Sequence, residues 1–348
     1  MIESVFLLTV PVAILVIIIL IFDFINGFHD TANQVSPAIG AKALKPRDAV
    51  LLAAIFNFAG PFVLGTAVAN TIGKIVDTDT EAWQLLPADF ALTVIGCAIL
   101  AAIAWNLITW WKGIPSSSSH ALVGGVVGAV AVSVSIGFGA INPEAITKTI
   151  NGLLFSPLIA FIFAFLLTIL IFWITFKILK NSPKSGKIYK YSQIFFVIWT
   201  GLAHGGNDAT KSMGIIGLVL LITGITTSFI IPLWAIVSCS LAMALGTAIG
   251  GFKIIRTMAK KMTKLSPDLG FAAQAGNSLV LTLGTITGFP MSTTHVITTS
   301  IMGAGSAKGF KRVQWGLGKS IVLAWILTIP ITAVIAGFLV VLAKILFF

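Results

Sequence analysis

Apolar runs such as residues 12–22 and 161–172 alternate along this chain with short charged clusters. Backbone groups in lipid must find their hydrogen bonds internally, so runs of this kind predict membrane-crossing helices. The strands of a membrane barrel would instead alternate apolar and polar residues. Four connections are basic: Lys42, Lys45 and Arg47; Lys177 to Lys190; Lys253 to Lys264; and Lys308 to Lys319. The stretches 74–89, 137–151 and 222–226 are acidic or nearly neutral. Placing the basic set in the cytoplasm predicts both termini outside. The same placement predicts ten crossings, at about 5–40, 48–73, 90–111, 115–136, 152–176, 191–221, 227–252, 270–287, 290–306 and 320–346.

The polar residues inside these runs form a repeated pattern. Asn26-Gly27-Phe28-His29-Asp30-Thr31-Ala32-Asn33 is echoed by His204-Gly205-Gly206-Asn207-Asp208-Ala209-Thr210-Lys211. Gly113-Ile114-Pro115-Ser116-Ser117-Ser118-Ser119-His120 is echoed by Gly288-Phe289-Pro290-Met291-Ser292-Thr293-Thr294-His295. The offsets, 178 and 175 residues, are about half the chain. Five crossings per half is an odd number, so the second half must enter the membrane upside down. The prediction is an all-α, polytopic membrane protein with two inverted repeats, residues 1–176 and 191–348, joined by a basic cytoplasmic linker at 177–190. Crossings 5–40 and 191–221 are too long for a hydrocarbon core of about 30 Å. Discontinuous helices are therefore expected, broken at 26–33 and at 204–211. Further breaks and re-entrant half-helices are expected at Pro115 and Pro290, since proline opens a helix readily at its first turn.

Composition narrows the class. The chain is 57% hydrophobic and 9% charged, which excludes an ordinary soluble domain of 348 residues. Its net charge of +11 sits mainly in the connections, so topology accounts for it and no nucleic-acid partner is expected. The first 41 residues hold no Lys or Arg, so no cleaved secretory signal is expected. Cys97 and Cys239 have neither pairing nor metal spacing and read as packing residues.

Of eleven acidic residues, only Asp23, Asp30 and Asp208 lie away from connections and termini. A carboxylate at membrane depth is costly without a partner. Asp30 and Asp208 occupy matching motif positions beside Asn33 and Asn207, a set of oxygen ligands suited to a hard monovalent cation. Asp23 has no counterpart, because position 201 is Gly, and reads as structural. Ser117, Ser118, Ser119, Ser292, Thr293 and Thr294 follow the two prolines. Helices starting there would aim free N–H groups, a positive dipole end and hydroxyls at a tetrahedral oxyanion; ordinary N-capping is the plainer reading for one or two of them. His120 and His295 are candidates to donate to the anion, relay protons or hold the adjacent backbone. Lys211 stands where the first half has Asn33, and its ammonium either replaces a bound cation or pairs with Asp208. No Ser–His triad is evident, so an enzyme is not expected.

At these motifs the chain resembles the inorganic phosphate transporter (PiT) family, which includes animal sodium–phosphate cotransporters. The resemblance rests on Gly27 to Asn33, Ala203 to Asp208, Pro115 to His120 and Pro290 to His295, in order and along essentially the whole chain. His29 departs from the family signature, which has Asn there. Lys211 is similar to prokaryotic members, and Asn57 replaces a Glu of the animal branch. The resemblance implies inverted repeats, counted as twelve segments when half-helices are included, a phosphate site at their interface, and a homodimer. The expected function is import of inorganic phosphate across the plasma (inner) membrane, driven by a cation gradient, with sodium as the expected ion and protons as the alternative. The coupling ion is the one cofactor expected, and a sulfate permease on the same scaffold is the alternative.

Overall fold

Proline and short polar residues set the starts of several helices. Pro46, Pro143 and Pro267 each stand in a first turn, where a missing N–H costs nothing. Asn142 caps its helix by accepting from the N–H groups of Glu144 and Ala145. A computed structural model describes residues 2–134, 137–180, 182 and 184–348, with the side chains of residues 2–9 and Lys260 left aside. Two positions of the expected linker, 181 and 183, and the last two of the crossing at 115–136 lie outside the described residues.

Among the described residues the chain is built from α1 (Ile2–Gly40), α2 (Pro46–Leu64), the short α3 (Ala67–Gly73) and α4 (Glu81–Gln84), α5 (Ala88–Lys112), α6 (Ser118–Ser133), α7 (Pro143–Lys177), α8 (Lys184–Ile222), α9 (Leu233–Ile249), α10 (Phe252–Arg256), α11 (Pro267–Thr287), α12 (Thr293–Ala307) and α13 (Trp315–Phe347). By length and composition six of these can cross a membrane: α1 from Val10 onward, α2, α5, α7, α11 and α13. A bent pair, Leu233–Ile249 with Phe252–Ala259 at 57°, makes a seventh if taken as one span. Helices α6 and α12, at 16 and 15 residues, are short of the twenty or so that a crossing needs. Leu154, Leu158 and Leu166 on α7, and Ile326, Val334 and Phe338 on α13, are exposed, as residues facing lipid would be.

The interruptions expected at the two prolines are present. Helix α5 ends at Gly113 in the left-handed conformation (φ 67°) and α6 starts five residues later. Helix α11 ends at Gly288 (φ 68°) and α12 follows in the same way. The breaks expected at 26–33 and 204–211 are absent: α1 and α8 run through both motifs as continuous helices of 39 residues. Their glycines serve close helix contact instead. A Cβ on Gly27 would lie 2.2 Å from the carbonyl oxygen of Met243 on α9, and one on Gly246 would lie 2.0 Å from that of Phe24 on α1. Likewise, a Cβ on Gly205 would meet the carbonyl of Asn57 at 2.0 Å, and one on Gly60 that of Leu202 at 2.4 Å. Helix α1 thus locks onto α9, and α2 onto α8. Helix α8 also starts seven residues before the expected crossing, and Lys184, Lys187 and Lys190 in that stretch are exposed.

Candidate functional site

The starts of α6 and α12 meet inside the bundle. Ser117 and Ser292 are their N-caps, each accepting at 3.2 Å from the backbone N–H three residues on, that of His120 or His295. Both serines therefore cap their helices. The caps also touch one another, since Ser292 Oγ donates to Ser117 Oγ at 2.8 Å. His120 and His295 lie behind them with ring centroids 4.3 Å apart, and His295 stacks on Trp325 at 3.7 Å. His120 Nδ1 is 2.8 Å from Ser117 Oγ. The His120 ring thus touches the cap of α6, while the His295 ring packs on His120 and Trp325. The first-turn N–H groups at 118, 119, 293 and 294 have no acceptor within their own helices, as at any helix start.

Asp30 from α1 and Asp208 from α8 converge on these starts. Ser118 Oγ donates to Asp30 Oδ2 at 2.8 Å, and Thr293 Oγ1 lies 3.0 Å from Asp208 Oδ2 and 3.5 Å from Asp30 Oδ2. Thr294 Oγ1 lies 3.5 Å from Asp30 Oδ1. Asn33 donates to the hydroxyls of Thr294 (2.9 Å) and Thr293 (3.3 Å). Each of these side chains is buried. Ser118, Thr293 and Thr294 of the hydroxyl set thus share one network with the carboxylates, while Ser117 and Ser292 bond each other and the histidines behind them. Asn207 also stands apart: its side chain is buried, and among the described residues neither amide atom has a partner.

An unbroken α8 adds two groups to this cluster. His204, Asp208 and Lys211 are spaced i, i+4 and i+7, which places them along one face of a continuous helix. His204 Nε2 lies 3.1 Å from Asp208 Oδ2 without hydrogen-bond alignment, while its Nδ1 faces Asn57 and Gln34. Ligand atoms of Asp30, His204 and Asp208 all lie within 4.8 Å of one another. That donor set, two carboxylates and an unengaged imidazole nitrogen, suits a small cation. Lys211 donates to Asp208 Oδ1, to Ser119 Oγ (2.5 Å) and to the carbonyl oxygen of Met291 (3.0 Å). Ser119 donates in turn to the same carbonyl at 3.1 Å.

His29 also belongs here, with Nδ1 donating to Asp30 Oδ1 at 2.6 Å and Nε2 lying 3.1 Å from Thr109 Oγ1. Its adjacency to Asp30 was the available signal. Asp23 keeps its structural reading, accepting from Ser212 Oγ at 2.6 Å. Cys97 and Cys239 are free and buried.

A bundle of apolar helices that buries carboxylates, an ammonium, hydroxyls and two helix starts at one point is a multi-pass membrane protein organised for moving small ions. Comparison with known proteins makes this definite. Residues 26–336 match the profile of the phosphate transporter family. A protein of Bacillus subtilis named a probable low-affinity inorganic phosphate transporter is 43% identical over 333 residues, covering 95% of this chain and 96% of the relative. One of Rhizobium meliloti with the same name is 40% identical over 326 residues, covering 93% of each chain. A solved structure, "The sodium-dependent phosphate transporter", superposes with a TM-score of 0.82 over 97% of this chain and 100% of its own, at 24% identity, which shows the shared fold. The chain belongs to the phosphate transporter family. Its relatives are transporters by name, in line with the expectation that it is not an enzyme.

Proposed function

We propose that this transporter is a secondary active importer of inorganic phosphate that couples each anion to a cation, sodium being the favoured ion. The observation that carries the reading is the Thr293 hydroxyl, placed at the start of α12 and within reach of both Asp30 and Asp208. An anion held by the helix starts would share its near neighbours with the carboxylates. Two like unit charges about 4 Å apart cost about 4 kcal/mol at an effective dielectric near 20. Lys211 offsets Asp208, so phosphate beside the remaining charge of Asp30 needs further positive charge close by, and a cation at the Asp30–His204–Asp208 cluster supplies it. A half-loaded site is electrostatically expensive, so the empty and fully loaded forms are the ones free to reorient.

Phosphate would be held by Ser117, Ser118, Ser119, Ser292, Thr293 and Thr294 with the first-turn N–H groups, and the cation by Asp30 and Asp208 with Asn33 and Asn207 at its margin. Sodium is favoured over protons by the oxygen ligands, and by the name of the structure with which this chain shares its fold. The same proposal includes the inverted repeats (1–176 and 191–348), ten crossings, external termini and a homodimer. Crosswise packing, α1 on α9 and α2 on α8, supports the repeats, being what a two-fold relation between halves would produce. Labelled phosphate uptake into proteoliposomes, with sodium and proton gradients imposed separately, tests the reading. Uptake that follows neither gradient refutes coupling, and uptake displaced equally well by sulfate points to a broader oxyanion permease.

A further inference from the structure

We propose that Lys211 is a built-in cation: its ammonium permanently occupies a second cation position, so the chain carries one fewer exchangeable cation per phosphate than its duplicated motifs would hold. The inference rests on the cation-coupled reading above and extends it to stoichiometry.

Lys211 is among the largest fully buried side chains, at 2% exposure. An ammonium has three N–H donors and no acceptor. Here the three are directed at a carboxylate (Asp208), a hydroxyl (Ser119) and a main-chain carbonyl (Met291). These are the oxygen types that ligate a hard monovalent ion, drawn from three separate segments of the chain. Position 211 lies 178 residues beyond Asn33, as Asp208 lies 178 beyond Asp30. On the Asp30 side the matching residue is uncharged, and the Asn33 amide turns to Thr293 and Thr294. Among the described residues Asp30 receives hydroxyls and His29 but no ammonium. Its charge therefore remains for an exchangeable ion, together with the Asp208 oxygen that Lys211 leaves free. A lysine is a compact point charge on a flexible stem, suited to stand in for an ion.

A rival reading makes Lys211 an anion ligand. All three of its donors are already engaged with protein oxygens, which argues against that role. Replacing Lys211 by Asn, the residue of the first motif, discriminates between the two.

The experiment measures positive charge moved per phosphate, from the reversal voltage of labelled phosphate flux in proteoliposomes holding the full chain. Lys211→Asn should move one more positive charge per phosphate than wild type, and its sodium dependence should steepen by about one unit of Hill coefficient. An unchanged charge ratio with a raised half-saturation for phosphate would overturn the proposal in favour of an anion ligand. With sodium and proton concentrations equal on both sides and only a phosphate gradient imposed, the reversal voltage gives the charge per phosphate whichever cation is carried. If neither protein moves labelled sodium, the sodium assignment fails, while the charge ratio still decides the role of Lys211 with protons as the carried cation.

A binding readout covers a variant that folds but does not transport. Thermal stabilisation by sodium against choline should rise more steeply with concentration in Lys211→Asn, or in Lys211→Gln, because a second ion binds the folded state. Equal slopes overturn the proposal. If neither variant accumulates as folded protein at any sodium concentration, Lys211 is a structural counter-ion and the proposal also falls.

Discussion

Replacing Gly27 with alanine tests whether close contact between α1 and α9 positions the site. The new Cβ would lie 2.2 Å from the Met243 carbonyl oxygen, where roughly 3.4 Å is ordinary contact. The obstacle is backbone, so α1 and α9 must part by about 1.2 Å rather than let a side chain swing aside. Asp30 is the next residue but two on the same helix. A shift of that size would stretch its 2.8 Å bond from Ser118 to about 4 Å, beyond hydrogen-bonding range. Displacements of about 1 Å in positioned groups cost on the order of a hundredfold in rate, and overpacking about 1–3 kcal/mol in stability. Purified Gly27→Ala should accordingly melt lower and take up phosphate at about one per cent of the wild-type rate in proteoliposomes. Gly96→Ala is the control, since its Cβ would meet only Leu15 Cδ1, at 3.7 Å. Wild-type uptake by Gly27→Ala would refute the idea that this contact sets the position of Asp30.

Three further changes probe the cluster directly. Asp30→Asn keeps the shape and removes the charge, and should abolish cation-dependent uptake; intact coupling in vesicles would exclude Asp30 from the cation site. Thr293→Val deletes a hydroxyl shared by both carboxylates. Hydrogen bonds to charged groups contribute about 1.5–3 kcal/mol, so half-saturation for cation or phosphate should rise roughly ten- to a hundredfold, and unchanged values would remove Thr293 from the site. Ser117→Ala loses the cap of α6 and the link to Ser292. It should lower stability by about 1 kcal/mol and weaken phosphate binding, whereas an unaltered melting temperature would show that the cap contributes nothing.

Most of this site was legible because its chemistry lies in compact motifs. Glycine, proline and consecutive hydroxyls announced the starts of α6 and α12, and the matched motifs singled out Asp30 and Asp208. The continuity of α1 and α8 was not legible. Gly, Asn and His in one short stretch argue locally for unwinding, but packing partners override local propensity when a helix is buried. Those partners, Met243 for Gly27 and Asn57 for Gly205, lie far away in the chain. The same misreading concealed His204, because its i+4 relation to Asp208 exists only on an unbroken helix. Asn57 shows the other limit: its bond to Thr247 spans 190 residues, and no local pattern signals it.

The interlocked glycines also bear on how the chain is made. Gly27 leaves the ribosome roughly 220 residues before Gly246, its counterpart across the contact. At about 5–20 residues per second, translation leaves α1 without that neighbour for roughly ten to forty seconds. During that interval its buried acid and amide side chains have only lipid, the insertion machinery or early helices for company. Assembly of the ion-binding centre must therefore be among the last events of biogenesis, and a polypeptide truncated before α9 should be recognised as incomplete and degraded.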